Sequence, residues 1–166
     1  MRINLNREGK ISIKRLTKSD LDRSVTTHQT HIGLTEKSLT FMGDRKEAHS
    51  AILIHKNSWF IEPCDIAKIS RKNGKRDATK ISMGGRNTEN LVSRIRNIAS
   101  RNNHTHYMVW FGSDTGTPVF WLVRKGSADF NKLNSAINLN GINHGVKTFS
   151  HGDREFSDIS EVIETI

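Results

Sequence analysis

Hydrophobic and polar positions alternate with a period of two in ISIKRL, where Ile11 and Ile13 share a side and Leu16 falls just out of phase. That pattern predicts a half-buried strand. Short apolar runs follow in AILIHK and WFIEP, then in IAKISRK through Ile66 and Ile69, then in TKISM. KNS and KNGK stand between them as turn signals, because Asn and Gly accept the tight backbone angles of hairpins and loops. In NTENLVSRIRNIASRN the period changes. Leu91, Val92, Ile95, Ile98 and Ala99 recur on one helical face, with Asn87 or Thr88 as the expected cap and Glu89 in the first turn. RNNHTH ends that helix. HYMVWFG and PVFWLVRK are almost continuously apolar and aromatic and are joined by SDTGT, which predicts a core hairpin buried on both faces. SADFNKLNSAI predicts a second helix, capped by Ser127, with Phe130, Leu133 and Ile137 on one side. HGVKTFS reads as a late strand and SDISEVIETI as a terminal amphipathic stretch.

Many short strands with one or two helices, in an order that does not alternate strand and helix, predict an α+β, mainly β domain or an open barrel. At 166 residues the chain is expected to form one domain, residues 1–166. Its last residue, Ile166, falls inside an apolar-periodic segment, so it is expected to be the front part of a longer protein. Cys64 is the only cysteine, which excludes an internal disulfide and any multi-cysteine zinc site. No apolar run approaches the ~20 residues that span a bilayer, and MRINLNREGK has no apolar signal region. The expected location is the cytoplasm.

Charge changes the picture more than composition does. The formal net charge is +9, and residues 1–103 hold 21 Lys and Arg against 10 Asp and Glu, while residues 104–166 hold 5 against 7. A surplus concentrated in one part of a domain is the electrostatic footprint of a phosphate-bearing partner. Two polar stretches carry it. The first runs from Lys14 to Lys37, KRLTKSDLDRSVTTHQTHIGLTEK; the second from Lys72 to Asn87, KNGKRDATKISMGGRN, in which five of sixteen residues are Lys or Arg. Both interleave cations with Asp, Ser, Thr, Asn, Gln or His. These are the groups that read base edges: Arg and Lys on guanine, Gln and Asn on adenine, Asp on the amino group of cytosine. The second stretch offers Lys75, Arg76, Asp77, Thr79, Lys80, Ser82 and Arg86 for that purpose. Neither contains an aromatic residue, and binding of single strands or most RNA needs aromatic stacking platforms. Duplex DNA is the expected partner, with Lys18, Arg23, Arg71, Lys72 and Arg94 on its phosphates.

Catalytic chemistry has weaker support. His28 and His31, or His104 and His106, have spacings that could ligate a metal only with a third ligand from elsewhere; polar loop histidines explain them as well. A small Mg²⁺ nuclease could use Asp44 and Lys46 with Glu36 upstream, but the triplet lies in a polar connection. Glu8 and Lys10 lack an upstream acid, and Gly84–Gly85 lacks the Lys-Ser/Thr of a phosphate loop. An RNA-binding protein would be satisfied by charge alone.

IKRLTKSDLDRSVTTHQTHIGL resembles the recognition arm near the start of EcoRII-type restriction endonucleases, and GKRDATKISMGGR is similar to their second arm. The helix and the YMVWF strand follow in the same order. The resemblance implies the fold of the EcoRII N-terminal effector domain: an open seven-stranded DNA-binding pseudobarrel, related to plant B-three domains, with two or so flanking helices. That family clamps the major groove between an N-arm and a C-arm. The resemblance puts Arg15, Asp20, His28 and Gln29 in the N-arm and Lys75, Arg76, Lys80, Ser82 and Arg86 in the C-arm; His31 is a further candidate DNA contact beside the first set. Thr26 and Thr27 replace a glycine pair of the family, Gly84 a tryptophan, Ala78 an acidic residue and Thr35 or a neighbour an aromatic one. The resemblance also implies a C/G-rich near-palindromic site such as CCWGG, a non-catalytic monomeric domain without a cofactor, and Mg²⁺ only in a separate, covalently linked nuclease domain of a prokaryotic restriction enzyme.

Overall fold

The computed structural model describes residues 3–5, 9–21, 31–34, 47–69, 78–82, 90–100, 103–142 and 145–166. In chain order these form β1 (Lys10–Arg15), α1 (Lys18–Leu21), β2 (His31–Leu34), β3 (Glu47–His55), β4 (Ser58–Ile69) and β5 (Ala78–Ser82). Then come α2 (Leu91–Ala99), β6 (His106–Gly112), β7 (Pro118–Arg124), α3 (Ala128–Ala136), β8 (Val146–Ser150) and α4 (Arg154–Ile163). The eight strands among the described residues make one open sheet in the order β2-β5-β4-β3-β7-β6-β1-β8. Every neighbouring pair is antiparallel except β3 and β7, which run parallel. The fold is α+β and mainly β, an open pseudobarrel.

The β6–β7 hairpin explains why the apolar pattern there is continuous. Odd-numbered residues Tyr107, Val109, Phe111, Val119, Trp121 and Val123 pack into one core with Phe130 and Leu133 of α3 and Phe156, Ile159 and Ile163 of α4. Even-numbered Met108, Trp110, Phe120 and Leu122 pack into a second core with Leu91, Val92, Ile95 and Ala99 of α2. Successive side chains of a strand point to opposite faces, so a hairpin covered on both sides needs apolar residues at every position. At its tip Gly116 takes a φ of 80°, a left-handed angle that glycine adopts without steric cost.

Local chemistry sets the helix ends. The cap of α2 is Asn90, not the expected Asn87 or Thr88: its side chain accepts from Ser93 N at 3.0 Å while Ser93 Oγ accepts from Asn90 N at 3.0 Å. That reciprocal box satisfies two otherwise orphaned donors. Ser127 caps α3 as expected, accepting from Phe130 N at 3.1 Å. Asp153 accepts from Ser150 N at 2.8 Å and turns the chain from β8 into α4.

Three expectations are corrected. WFIEP and IAKISRK are not separate strands: β4 runs without a break from Ser58 to Ile69. Pro63 lies within β4 opposite Ser50 of β3. The long polar stretch after β1 is not a plain loop, since it contains α1 and β2. Among the described residues the sheet therefore has eight strands where seven were expected, and α1 and α4 bring the α-helices to four rather than two or so.

Candidate nucleic-acid interface

The first polar stretch is rooted in a small hydrogen-bonded block. Thr17 and Asp20 form a capping box for α1: Asp20 Oδ2 accepts from Thr17 N at 2.8 Å and from Thr17 Oγ1 at 2.9 Å, while Asp20 N donates to Thr17 Oγ1 at 3.3 Å. Lys14 Nζ donates to Asp20 Oδ1 at 2.8 Å and to the Gly33 carbonyl at 3.0 Å. Arg96 of α2 donates from Nε to the Asp20 carbonyl at 2.9 Å. One lysine thus ties the start of the stretch, in β1 and α1, to its return in β2. The arginine ties both to α2. Residues 22–30, with Arg23, His28 and Gln29, lie outside the described residues, but they leave and re-enter the fold at fixed points.

This block gives Asp20 another role than base reading. It is buried, and its carboxylate is engaged by Lys14 and Thr17. Arg15 at the end of β1 is half-buried and Lys18 in α1 is exposed, so both cations remain on the surface beside it. The T-x-x-D spacing of Thr17 to Asp20 is a helix-start signal legible in the sequence.

The second stretch supplies β5, which is inserted between β2 and β4. Thr79 is opposite Leu34 on one side and Lys68 on the other, Lys80 is opposite Gly33 and Ala67, and Ser82 is opposite His31 and Asp65. Thr79, Lys80, Ser82 and His31 are placed by this register. Lys75, Arg76, Asp77 and Arg86 lie outside the described residues, as do Arg71 and Lys72. The topology still orders the segments that carry them. Residues 22–30 join the ladder at its His31–Ser82 end, where residues 83–89 also depart. Residues 70–77 connect Ile69 to Ala78 at the other end. Arg23, His28, Gln29 and Arg86 therefore belong to segments meeting one end of the ladder, and Lys75, Arg76 and Asp77 to the segment at the opposite end.

Arg94, expected on a phosphate, is held by the fold. Its Nε donates to Glu62 Oε1 at 2.7 Å, and its guanidinium carbon sits 4.8 Å from the centre of the Phe60 ring. Glu62 is buried, so this pair clips α2 to β4.

The histidines separate by environment. His106 is buried in β6 rather than lying in a loop, and donates from Nδ1 to the His104 carbonyl at 2.9 Å. His55, at the end of β3, is half-buried with its Nδ1 3.3 Å from the Leu122 carbonyl. Burial, opposed by these carbonyl bonds and reinforced by nearby cations, holds both rings below their ordinary value of 6.5. His28 lies outside the described residues, as do Glu36, Asp44 and Lys46. Among the described residues, no group of three or more His, Cys, Asp or Glu is placed to hold a metal ion, and no helix is long and apolar enough to cross a membrane.

No protein-family model matches the chain, and no curated protein sequence matches it. Its structure is similar to that of the N-terminal domain of Helicobacter pylori LlaJI.R1, with 10% sequence identity and a TM-score of 0.49 over 84% of this chain and 97% of that one.

Proposed function

We propose that this chain is a non-catalytic module that recognises double-stranded DNA by sequence, using its two polar segments as arms in the major groove. The observation that carries the reading is the β2–β5–β4 ladder. Segments 22–30 and 70–77, distant in sequence and without aromatics, meet its opposite ends, and the second carries Arg71, Lys72, Lys75 and Arg76. From Ser82 to Ala78 is four steps along β5, roughly 13 Å at the usual strand rise. The major groove is about 12 Å wide. Arms spaced this way reach both sides of a groove without either crossing the duplex. The concentration of positive charge in residues 1–103 supplies the long-range attraction and salt dependence that such binding requires.

In this reading, Arg23, His28 and Gln29 serve one side of the groove and Lys75, Arg76 and Asp77 the other, with Arg86 of the second segment returning to the first side and Arg15 and Lys18 beside the first arm's root. The domain acts as a monomeric effector or targeting module of an EcoRII-type restriction endonuclease, covalently linked to a nuclease domain that carries the Mg²⁺ chemistry. Its site is short and C/G-rich.

Selection of bound duplexes from a random pool, at a stated physiological salt concentration, tests this directly. A sharp consensus is expected. A flat pool means sequence-independent binding, and Mg²⁺-dependent plasmid cleavage that Asp44→Ala abolishes would make the chain a nuclease instead. With the consensus in hand, Arg76→Ala should weaken cognate binding by about 1–3 kcal/mol and relax preference at one position. Equal losses on cognate and random duplexes would reduce Arg76 to a phosphate contact.

A further inference from the structure

The four central strands end in a row. In the order β3-β7-β6-β1, His55 closes β3 beside Leu122, Arg124 closes β7 opposite His106, and Arg15 closes β1 opposite Tyr107. Leu16 extends the row by donating to the His106 carbonyl at 2.9 Å. The residues just past these ends are Lys56, Lys125 and His104, all exposed, and then Lys18 of α1. Four strands at the usual spacing cover roughly 14 Å. Arg15, Lys18, Lys56, Arg124 and Lys125 thus share one edge of the sheet, although they come from distant parts of the sequence.

Among the described residues, little neutralises this edge. Asp129, in the first turn of α3, is the acidic residue that acts on His55. Among the described residues, none of the five cations forms an ion pair. Arg124 Nε is buried without a hydrogen-bond partner among them, so one of its donors is left unsatisfied. Three of the seven acidic residues of the C-terminal part, Glu155, Asp158 and Glu161, lie on α4. His55 and His106 spend their Nδ1 donors on backbone carbonyls and add no fixed charge above neutral pH.

We infer that this strand-end row is a second contact surface for the DNA backbone, continuous with the root of the first arm, on which Lys56, Arg124 and Lys125 bind phosphates without reading bases. The inference rests on the duplex-binding reading and extends the footprint beyond the arms. A cationic edge of this kind contributes affinity by releasing counterions, and it is blind to sequence.

The test uses the whole chain at pH 8, where the histidines are neutral. Binding to the selected duplex and to a random duplex is measured across a salt series for wild type, Lys56→Gln/Lys125→Gln and Arg124→Gln. The double variant replaces two exposed side chains and leaves both cores intact. Its slope of log K against log salt should fall by about two, with equal weakening on both duplexes and an unchanged ratio between them. Arg124→Gln should lower the slope by about one. Unchanged slopes in both variants, with wild type still binding, would overturn the inference alone; a wild-type chain that binds neither duplex would overturn it together with the reading it rests on. Inorganic phosphate at matched ionic strength should not displace the duplex. If it does, the edge is a discrete phosphate pocket and not a backbone track.

Discussion

The β6–β7 hairpin and the β2–β5 ladder belong to one sheet and follow opposite rules. In the hairpin seven residue pairs are in register, every residue of β6 is buried, and both faces are closed by helices. In the ladder four pairs are in register at an edge of the sheet, and both strands open directly into long polar segments. The two faces of the hairpin have no room for surface chemistry, which is left to its strand ends. Of the ladder's described side chains, Ile32 and Leu34 reach the core shared with α2. Burial is deepest on the two faces of the hairpin, which are closed to ligands, while the long polar segments open from the edge of the sheet. Loops that bind commonly depend on such a separation, since a rigid scaffold positions them and tolerates their polar content.

This contrast is open to direct attack. Trp110→Ala, in the hairpin, should have the largest effect, about 3–5 kcal/mol of lost stability in urea unfolding. The ring is fully buried and its Nε1 has no partner among the described residues, so the loss comes from packing and cavity formation. A loss below about 1 kcal/mol would mean that the hairpin is not the stabilising half.

Lys14→Met examines the other half. It leaves the Asp20 carboxylate buried without its cation, which should cost about 3 kcal/mol, and it cuts the tie to Gly33 that holds the first arm's return. Adding Asp20→Leu should restore part of the stability without restoring DNA affinity. If affinity returns along with stability, the block is only a structural support and does not position the arm.

The smallest effect is the dependence on pH. His55 and His106 have folded-state values below 6.5, so the unfolded chain takes up protons that the native one refuses as pH falls. Their contribution to stability is complete above about 6.5 and declines as pH drops through that value toward the folded one. Urea midpoints at pH 8 and pH 5.5 should differ less in His106→Gln than in wild type. An equal difference would remove His106 from the account.

Pattern alone made the hairpin legible, because burial on both faces leaves an unbroken apolar run. It also made α3 legible through the Ser127 cap and the spacing of Phe130, Leu133 and Ile137. Four-residue elements escaped. HIGL has only two large apolar side chains, and it becomes β2 because β5 lies beside it. KSDL is helical because Thr17 and Asp20 close a box and Arg96 anchors its end from far along the chain. The same distance hid the true occupations of Asp20 and Arg94, which residue type recommends for nucleic acid and the fold commits to internal pairs.

Local order and charge followed from the chain itself: the strands with long runs, the amphipathic helix faces, and the excess of Lys and Arg before residue 104. Those properties depend on near neighbours or on composition. Only the tertiary structure decided which strand ends lie side by side, which cations are already paired, and that Lys56, Arg124 and Lys125 share an edge with Arg15. Such placements arise from pairing between residues far apart in sequence, where register and burial compete, and no local pattern records the outcome.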